Sequence, residues 1–282
     1  MTSPGPSLAE LLLGVEGLAL LRLAFSDDMQ ARRDRIADIV RLVGDVDTDA
    51  ALLAPAYAAE FDLAAGYQRW AKTYDRPLRL FPVEEPTLHA LIAGLPPGTV
   101  LDAACGTGRY SAHLVESDHD VVGIDNSEAM LARARVKLPQ ATFRLGELTD
   151  LPLDDASVDA VVCALALVHL PDVAPAITEF ARVLRPGGSL FISDVHPFLI
   201  TLGWRAQVPA ADGATGFMAL HPHMASEYVQ ALTASGFLVR GCFEPALGPD
   251  SAVTVTSPHI PEATRAAWAG LPGVAIWDAA KA

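Results

Sequence analysis

Apolar residues in the first quarter of the chain recur at intervals of three and four positions. Two series show this spacing: Leu11, Val15, Leu18, Leu21 and Phe25, and then Ile36, Ile39, Val40 and Val43. The spacing places each series on one face of a helix. A further aromatic-rich helix is expected over about 56–74, ending before Pro77 because proline cannot continue a helix. Residues 1–78 are therefore predicted to form a helical extension.

From Gly98 onward, short apolar runs alternate with amphipathic segments. Strands are predicted over 100–103, 120–124, 142–145, 159–164, 189–193, 237–243 and 274–277. Helices are predicted between them, over 110–117, 127–137, 174–184 and 225–235. This alternation is typical of right-handed βαβ units and a largely parallel sheet. We therefore expect an α/β fold over residues 79–282.

Residues 196–223 interrupt this alternation. The segment holds three prolines and three glycines and has no clear hydrophobic period. Long irregular segments inside compact domains often carry function. We interpret 196–223 as an insertion that, together with residues 1–78, forms a lid.

Composition narrows the classes of partner. The chain is 51% hydrophobic and 19% charged, and its 34 acidic against 20 basic residues give a formal charge of −14. Such a charge repels nucleic acid and anionic membranes, so neither is expected as a partner. The three cysteines have no metal-binding spacing, which predicts no metal and favours a reducing cytoplasm. The N-terminal stretch does not read as a signal peptide, and no apolar run approaches a membrane span.

The most informative segment is a strand that breaks into a glycine turn and opens a helix. Gly106 and Gly108 lie where the chain must turn tightly and let a ligand approach the backbone. The helix that follows offers free N–H groups to an anionic ligand. Asp125 follows the second strand at the distance where acids bind ribose hydroxyls in nucleoside-binding sheets. Ser111 replaces the third glycine of a dinucleotide turn, which disfavours a nicotinamide-dependent oxidoreductase.

The segment Asp-Ala-Ala-Cys-Gly-Thr-Gly at 102–108 resembles motif I of class I S-adenosylmethionine (SAM)-dependent methyltransferases, usually D/E-x-x-C-G-x-G. Residues 146–153, 163–170 and 184–188 resemble later segments of that family, in the same order. The resemblance implies a Rossmann-like, mostly parallel sheet whose last strand is antiparallel. It also implies SAM as cofactor and S-adenosylhomocysteine as product. It extends over about 67–193 and is weak toward both ends.

The resemblance also implies a set of cofactor-binding residues. The family's acids bind ribose at the position of Asp125 and the adenine amino group at that of Glu147, where this chain has the longer acid. The aromatic segment 66–75 resembles the family segment that lies over the cofactor, although its aromatic residues would equally suit core packing. The full implied set is Tyr67, Tyr74, Asp102, Ala104, Cys105, Gly106, Gly108, Arg109, Asp125, Asn126, Met130, Gly146, Glu147, Leu148, Ala164 and Leu165.

Candidate catalytic residues lie at predicted strand ends, where ligands of open α/β sheets collect. His169 is the first candidate for a base that takes a proton from the acceptor, with His196 and Asp194 behind it. A hydrogen-bonded packing role is an equal alternative for His169. The acidic pair Glu84-Glu85 reads as a solvated face or as charge near a helix start.

The acceptor is expected to be a small, hydrophobic and aromatic molecule. Its predicted contacts are Trp70, Trp204, Phe217 and Tyr228. The layout is similar to that of bacterial secondary-metabolite methyltransferases, including the indole C3-methyltransferase of the physostigmine pathway. Indole C-methylation is therefore one hypothesis for the reaction.

Two other classes of function stay open. A SAM-binding regulator or partner subunit would carry the same cofactor motif without transferring a methyl group. The nicotinamide-dependent oxidoreductase is the weaker alternative. The apolar face of the N-terminal helices could bury against the sheet or against a second copy, so a homodimer is also an expectation.

Overall fold

The computed structural model describes residues 5–76 and 78–282. Within these residues the strands are β1 (Thr99–Ala103), β2 (Asp120–Asp125), β3 (Thr142–Leu145), β4 (Val158–Ala164), β5 (Leu184–Val195), β6 (Ala206–Pro209), β7 (Thr215–Met218), β8 (Phe237–Phe243) and β9 (Val274–Lys281). The helices are α1 (Leu8–Leu23), α2 (Met29–Asp45), α3 (Ala50–Leu53), α4 (Leu63–Trp70), α5 (Phe81–Ile92), α6 (Arg109–Glu116), α7 (Glu128–Lys137), α8 (Ala174–Val183), α9 (Pro197–Thr201), α10 (Ala225–Ala234) and α11 (Pro261–Trp268).

Seven strands form one sheet in the order β3-β2-β1-β4-β5-β9-β8. The first five strands in this order are parallel, and β9 is antiparallel to both of its neighbours. Helices cover both faces of the sheet, which explains why β1 and β4 are almost entirely buried. The predicted α/β class, the mostly parallel sheet and the antiparallel last strand are confirmed.

The order of strands creates the place for a ligand. The chain runs from β1 outward to β2 and β3, and then returns past β1 to β4 and β5. The connections after β1 and β4 therefore leave the sheet in opposite directions, and a crevice forms between their carboxyl ends. The glycine turn after Ala103 lies at that crevice.

The N-terminal helices form where the spacing predicts them, but they bury a different face. The buried side of α1 is made of Ala9, Leu12, Val15, Glu16 and Ala19. These residues pack against α2 and α11, and Arg35 of α2 forms a buried ion pair of 3.0 Å with Glu16.

Much of the apolar series that predicted these helices is exposed. Phe25 is 100% exposed, and on α2 the side chains of Ile36, Val40 and Val43 are each more than half exposed. The described part of residues 1–78 thus contributes helices, as predicted, while Leu21 and Phe25 of the first series and most of the second series are exposed. No helix within the described residues is both long and apolar enough to cross a bilayer.

The helix predicted over 56–74 is shorter than expected and extends only from Leu63 to Trp70. The preceding residues pair with the β6–β7 hairpin instead, since the Ala58 N–H donates to the Thr215 carbonyl and the Phe61 N–H to that of Phe217. Asp62 then caps α4 by accepting from the Ala65 N–H at 2.7 Å. Tertiary pairing therefore overrides the helical spacing in this segment.

The insertion 196–223 holds α9 and the β6–β7 hairpin, neither of which its sequence pattern indicates. Each hairpin strand has only four residues, too few for a clear alternation. Helix α5 was also missed because of its two prolines. Pro82 lies in the first turn, where its missing N–H costs nothing.

Candidate functional site

The turn after β1 contains three alternate positions with a positive φ angle. Ala104, Gly106 and Gly108 have φ angles of 59°, 55° and 81°. Ala104 has a Cβ and so bears a conformational cost in this region. Leu165, at the end of β4, is similarly held at a φ of 55°. Ala104 and Leu165 both line one cavity at the carboxyl ends of the strands.

Asp125 fixes the shape of this turn. One carboxylate oxygen accepts the Gly106 N–H at 2.8 Å and the other accepts the Ser127 N–H at 2.8 Å. The side chain thereby ties the end of β2 to the glycine turn and to the start of α7. Burial raises the pKa of Asp125, and the two backbone N–H groups oppose that rise.

A cavity of about 70 Å³ lies between the turn and the ends of β2, β3 and β4. It brings together many of the predicted cofactor residues: Tyr67, Tyr74, Ala104, Gly106, Asp125, Asn126, Gly146, Glu147, Leu148, Ala164 and Leu165. Leu63 and Thr149 also line it, and sequence reasoning did not single them out. We call this space the smaller cavity.

Five residues of the predicted cofactor set do not line the smaller cavity: Asp102, Cys105, Gly108, Arg109 and Met130. Asp102 accepts the Ser111 hydroxyl at 2.6 Å, and burial raises the pKa of Asp102 to about 6. Cys105 and Met130 are buried, and Gly108 caps α6. These residues lie in the turn or in the structure around it, and their contact with the cofactor stays a prediction.

Arg109 turns away from the smaller cavity to meet α5. Its guanidinium donates to Glu84 at 2.8 Å and to Glu85 at 3.0 Å, and it lies 3.7 Å from the centre of the Phe81 ring. Glu84 is fully buried and also accepts the Ser193 hydroxyl. The expectation that Glu84 lies on a solvated face is therefore wrong, because its charge is paired within the core.

A second cavity, of about 480 Å³, adjoins the first, and we call it the larger cavity. Its walls come from α1, α4, the segment 202–207 that follows α9, the residues before α5 and the chain around α11. Aromatic side chains are prominent, and three of the four tryptophans line it: Trp70, Trp204 and Trp268. Two of these, Trp70 and Trp204, are predicted substrate residues.

The other two predicted substrate residues lie outside both linings. Tyr228 is buried, donates its hydroxyl to Asp194 at 2.7 Å and stacks on Trp277 at 5.4 Å between ring centres. Phe217 packs against Tyr57 at 5.0 Å. Neither side chain lines either cavity, and Phe217 lies behind Tyr57, which lines the larger one.

The two cavities share a wall made of Tyr67, Tyr74, Leu165 and His169. The Tyr67 hydroxyl lies 2.8 Å from Nε2 of His169. Burial raises the pKa of Tyr67 well above its usual value, so the phenol stays protonated and donates to the imidazole. Burial, helped by the nearby His221, lowers the pKa of His169 to about 4. His169 is therefore neutral at pH 7.

Of the three predicted catalytic residues, only His169 lines a cavity. Asp194 is 2% exposed and bonded to Tyr228, and burial raises the pKa of Asp194 to about 8. His196 caps α9 through the Phe198 N–H and contacts Glu244 at 3.1 Å. Both residues end β5 as expected, but their side chains point to other partners.

Comparison with known proteins matches the centre of the chain. Residues 101–192 match the family model described as a methyltransferase domain. An uncharacterized methyltransferase of Mycobacterium tuberculosis is 52% identical over 91 residues, which cover 32% of this chain and 37% of that protein. A malonyl-[acyl-carrier protein] O-methyltransferase of Yersinia pestis is 36% identical over 134 residues, which cover 46% of this chain and 49% of the relative.

These matches span half or less of the curated relatives' length. A crystal structure of a SAM-dependent methyltransferase from Mesorhizobium loti resembles the chain with a TM-score of 0.54 and 24% identity. That likeness covers 71% of this chain and 98% of the other, and it supports the fold. The matched residues contain the glycine turn, Asp125, Glu147 and the His169 segment.

Proposed function

We propose that this chain transfers a methyl group from SAM to a small, hydrophobic acceptor. Its residues 101–192 match a methyltransferase domain, and its fold resembles that of a SAM-dependent methyltransferase. One observation carries the proposal. The smaller cavity is lined by most of the predicted cofactor residues, and it meets the larger, aromatic cavity at Tyr67 and His169. A methyl donor in one space and an acceptor in the other would meet at that wall.

The residues of the smaller cavity fit the cofactor. Asp125 has carboxylate lone pairs beyond those used by the two backbone N–H groups and can accept from ribose hydroxyls. Glu147 can accept from an adenine amino group, and its contact with Asn126 at 3.2 Å holds it at the rim. The left-handed φ of Gly106 leaves the backbone open to close approach.

The volume of the smaller cavity is modest for the whole cofactor. At about 70 Å³ it suits only part of such a molecule. The larger cavity adjoins it across the shared wall, where the aromatic rings of Tyr67 and Tyr74 stand between the two. Aromatic faces are favourable neighbours for a sulfonium cation.

Bound SAM supplies an electrophilic methyl group on a sulfonium that is already positively charged. The protein then contributes alignment and the exclusion of water. His169 can also accept a proton from the acceptor through Tyr67, because the phenol can pass its own proton to Nε2 of the neutral imidazole as it takes one from the acceptor. Asp194 and His196 have no proposed contact with the acceptor. They hold the end of β5 through their hydrogen bonds with Tyr228 and with the Phe198 N–H.

The finer part of our proposal is an aromatic acceptor of the secondary-metabolite type, with indole C-methylation as one reaction to test. The tryptophans in the larger cavity support it, because flat apolar walls suit a flat apolar ligand. The names of the relatives give no support for indoles, and one relative is named as a malonyl-[acyl-carrier protein] O-methyltransferase. The proposal therefore rests on the cavity.

An acceptor screen tests this function directly. The protein is incubated with SAM and with matched indoles, phenols and amines, and the products are analysed by mass spectrometry. Addition of one methyl group to an aromatic member supports the proposal, and turnover of indoles would support C-methylation. SAM binding without turnover of any acceptor class would favour the SAM-binding regulator instead.

A further inference from the structure

Basic side chains outnumber acidic ones in the lining of the larger cavity, whereas acidic residues outnumber basic ones in the whole chain. The protein has a formal charge of −14, with 34 acidic residues against 20 basic ones. The charged side chains in the described lining of this cavity are Arg79, Arg205 and Glu10. A cavity with two guanidinium groups and one carboxylate is thus built into an acidic protein.

The one carboxylate of this lining, that of Glu10, forms its hydrogen bonds with Ser7 at the start of α1. The Glu10 carboxylate accepts the Ser7 N–H at 2.7 Å, and the Ser7 hydroxyl oxygen accepts the Glu10 N–H at 3.3 Å, which together form the capping box of α1. The Ser7 hydroxyl also donates to the same carboxylate at 2.9 Å. These hydrogen bonds lower the pKa of Glu10. Glu10 therefore serves the helix start, and it forms no ion pair with either arginine among the described residues.

The two arginines lack acidic partners. Arg79 donates one N–H group to the Val253 carbonyl at 2.5 Å. Arg205 donates to the carbonyls of Trp204 and Ile200, at 2.7 and 3.2 Å. Within residues 5–76 and 78–282, neither guanidinium has a carboxylate within 4.0 Å, whereas Arg35, Arg109 and Arg182 all do.

Neither Arg79 nor Arg205 therefore has its positive charge balanced by a nearby carboxylate among the described residues. Arg79 is exposed and Arg205 is half-buried, so each guanidinium is partly hydrated and can still gain charge-assisted hydrogen bonds from an anion that enters the cavity. Burial of part of the side chain lowers the pKa of Arg79, and the group remains a cation at neutral pH. The remaining N–H groups of each arginine form a planar fork that matches a carboxylate.

We propose that the larger cavity takes an acceptor with a flat apolar body and one anionic oxygen group, such as a carboxylate, which Arg79 and Arg205 bind. The body lies among Trp70, Trp204 and Trp268. This inference rests on the proposed function only for the role of the ligand as methyl acceptor. Binding of such a ligand can be measured without SAM.

The test uses two probes of the same shape, 1-naphthylacetate and 1-naphthylacetamide. Binding is followed by intrinsic fluorescence, since three of the four tryptophans line the cavity. The wild type is expected to bind the acetate roughly tenfold more tightly than the amide, because hydrogen bonds to charged groups are the stronger ones. Arg79→Gln and Arg205→Gln should each remove most of that preference and leave amide binding unchanged.

Arg265→Gln is the matched control, because Arg265 is exposed on α11 outside the cavity lining and its substitution changes the net charge equally. It should keep the wild-type preference. Thermal melting of each variant confirms that it is folded. Equal binding of both probes, preference for the amide, no binding of either probe, or unchanged preference in both arginine variants would overturn the proposal. SAM titration of the same samples shows separately whether the proposed function fails.

Discussion

The Tyr67 hydroxyl lies 2.8 Å from Nε2 of His169, in the wall that the two cavities share. The two residues are 102 positions apart and come from α4 and from the one-turn 3-10 helix after β4. The contact therefore links the N-terminal extension to the sheet. It also places a protonated phenol and a neutral imidazole where a donor and an acceptor would meet.

Substitution of His169 tests the proton-accepting role. His169→Ala is expected to lower kcat by about 100-fold on an acceptor that must lose a proton, because general base catalysis contributes at least that much. His259→Ala is the control, since His259 is exposed and lines neither cavity. Steady-state kinetics on both variants measure the effect. Unchanged kcat in His169→Ala would assign this residue to packing.

The pH dependence of kcat gives a second test of the role of His169. Because its folded pKa is lowered to about 4, below the usual 6.5, the imidazole stays a base well below pH 6. We expect the acid limb of kcat to fall near pH 4 to 5. A limb near pH 6.5 would contradict the burial of this histidine in the working enzyme.

Asp194 should make the protein less stable as the pH rises. Its folded pKa is raised to about 8, against 3.8 for the unfolded chain, so the folded state binds the proton more tightly. Stability from this group is complete below pH 4 and is lost as the pH rises toward 8. Asp194→Asn should flatten this slope between pH 5 and 8 in thermal melts. A slope equal to that of the wild type would refute the assignment.

The buried pair of Glu84 and Arg109 should be costly to break. Glu84→Gln is expected to lower the free energy of unfolding by about 3 kcal/mol, because it leaves a buried guanidinium poorly paired. Glu85→Gln removes the more exposed partner and should cost less than about 1 kcal/mol. Urea unfolding of both variants measures the difference. Equal costs would mean that the two carboxylates share the charge evenly.

These examples separate what the sequence could predict from what it could not. The glycine turn and Asp125 were predictable because strand, turn and helix follow one another along the chain. The pairing of Arg109 with Glu84 was not, since it joins two helices whose relative position depends on the whole fold. The same holds for the hairpin that pairs with residues 58–61, where partners lie more than 150 positions apart.

The outward apolar stripe shows a second limit. Spacing alone predicted the helices α1 and α2, but it could not decide which surface covers their apolar residues. In the structure the side chains of Ile36, Val40 and Val43 are exposed. Helical periodicity reports that a face is apolar, whereas its partner depends on packing that can involve another chain.

The homodimer stays a prediction, and this stripe is where it would form. The spacing of Ile36, Val40 and Val43 repeats as in helices that pair with a copy of themselves. We expect light scattering after size exclusion to give the mass of two chains. Val40→Glu should then give one chain with an unchanged melting temperature. A wild type with the mass of one chain at all concentrations would exclude the dimer.

The most direct test of the central claim is calorimetric titration with SAM and S-adenosylhomocysteine of the wild type and of Asp125→Ala. Asp125→Asn, which keeps the size and removes the charge, serves as the matched variant. We predict that the wild type binds both compounds with micromolar affinity and that Asp125→Ala loses at least tenfold, because ribose hydroxyls lose a charged acceptor. Absence of SAM binding by a folded wild type would contradict the account.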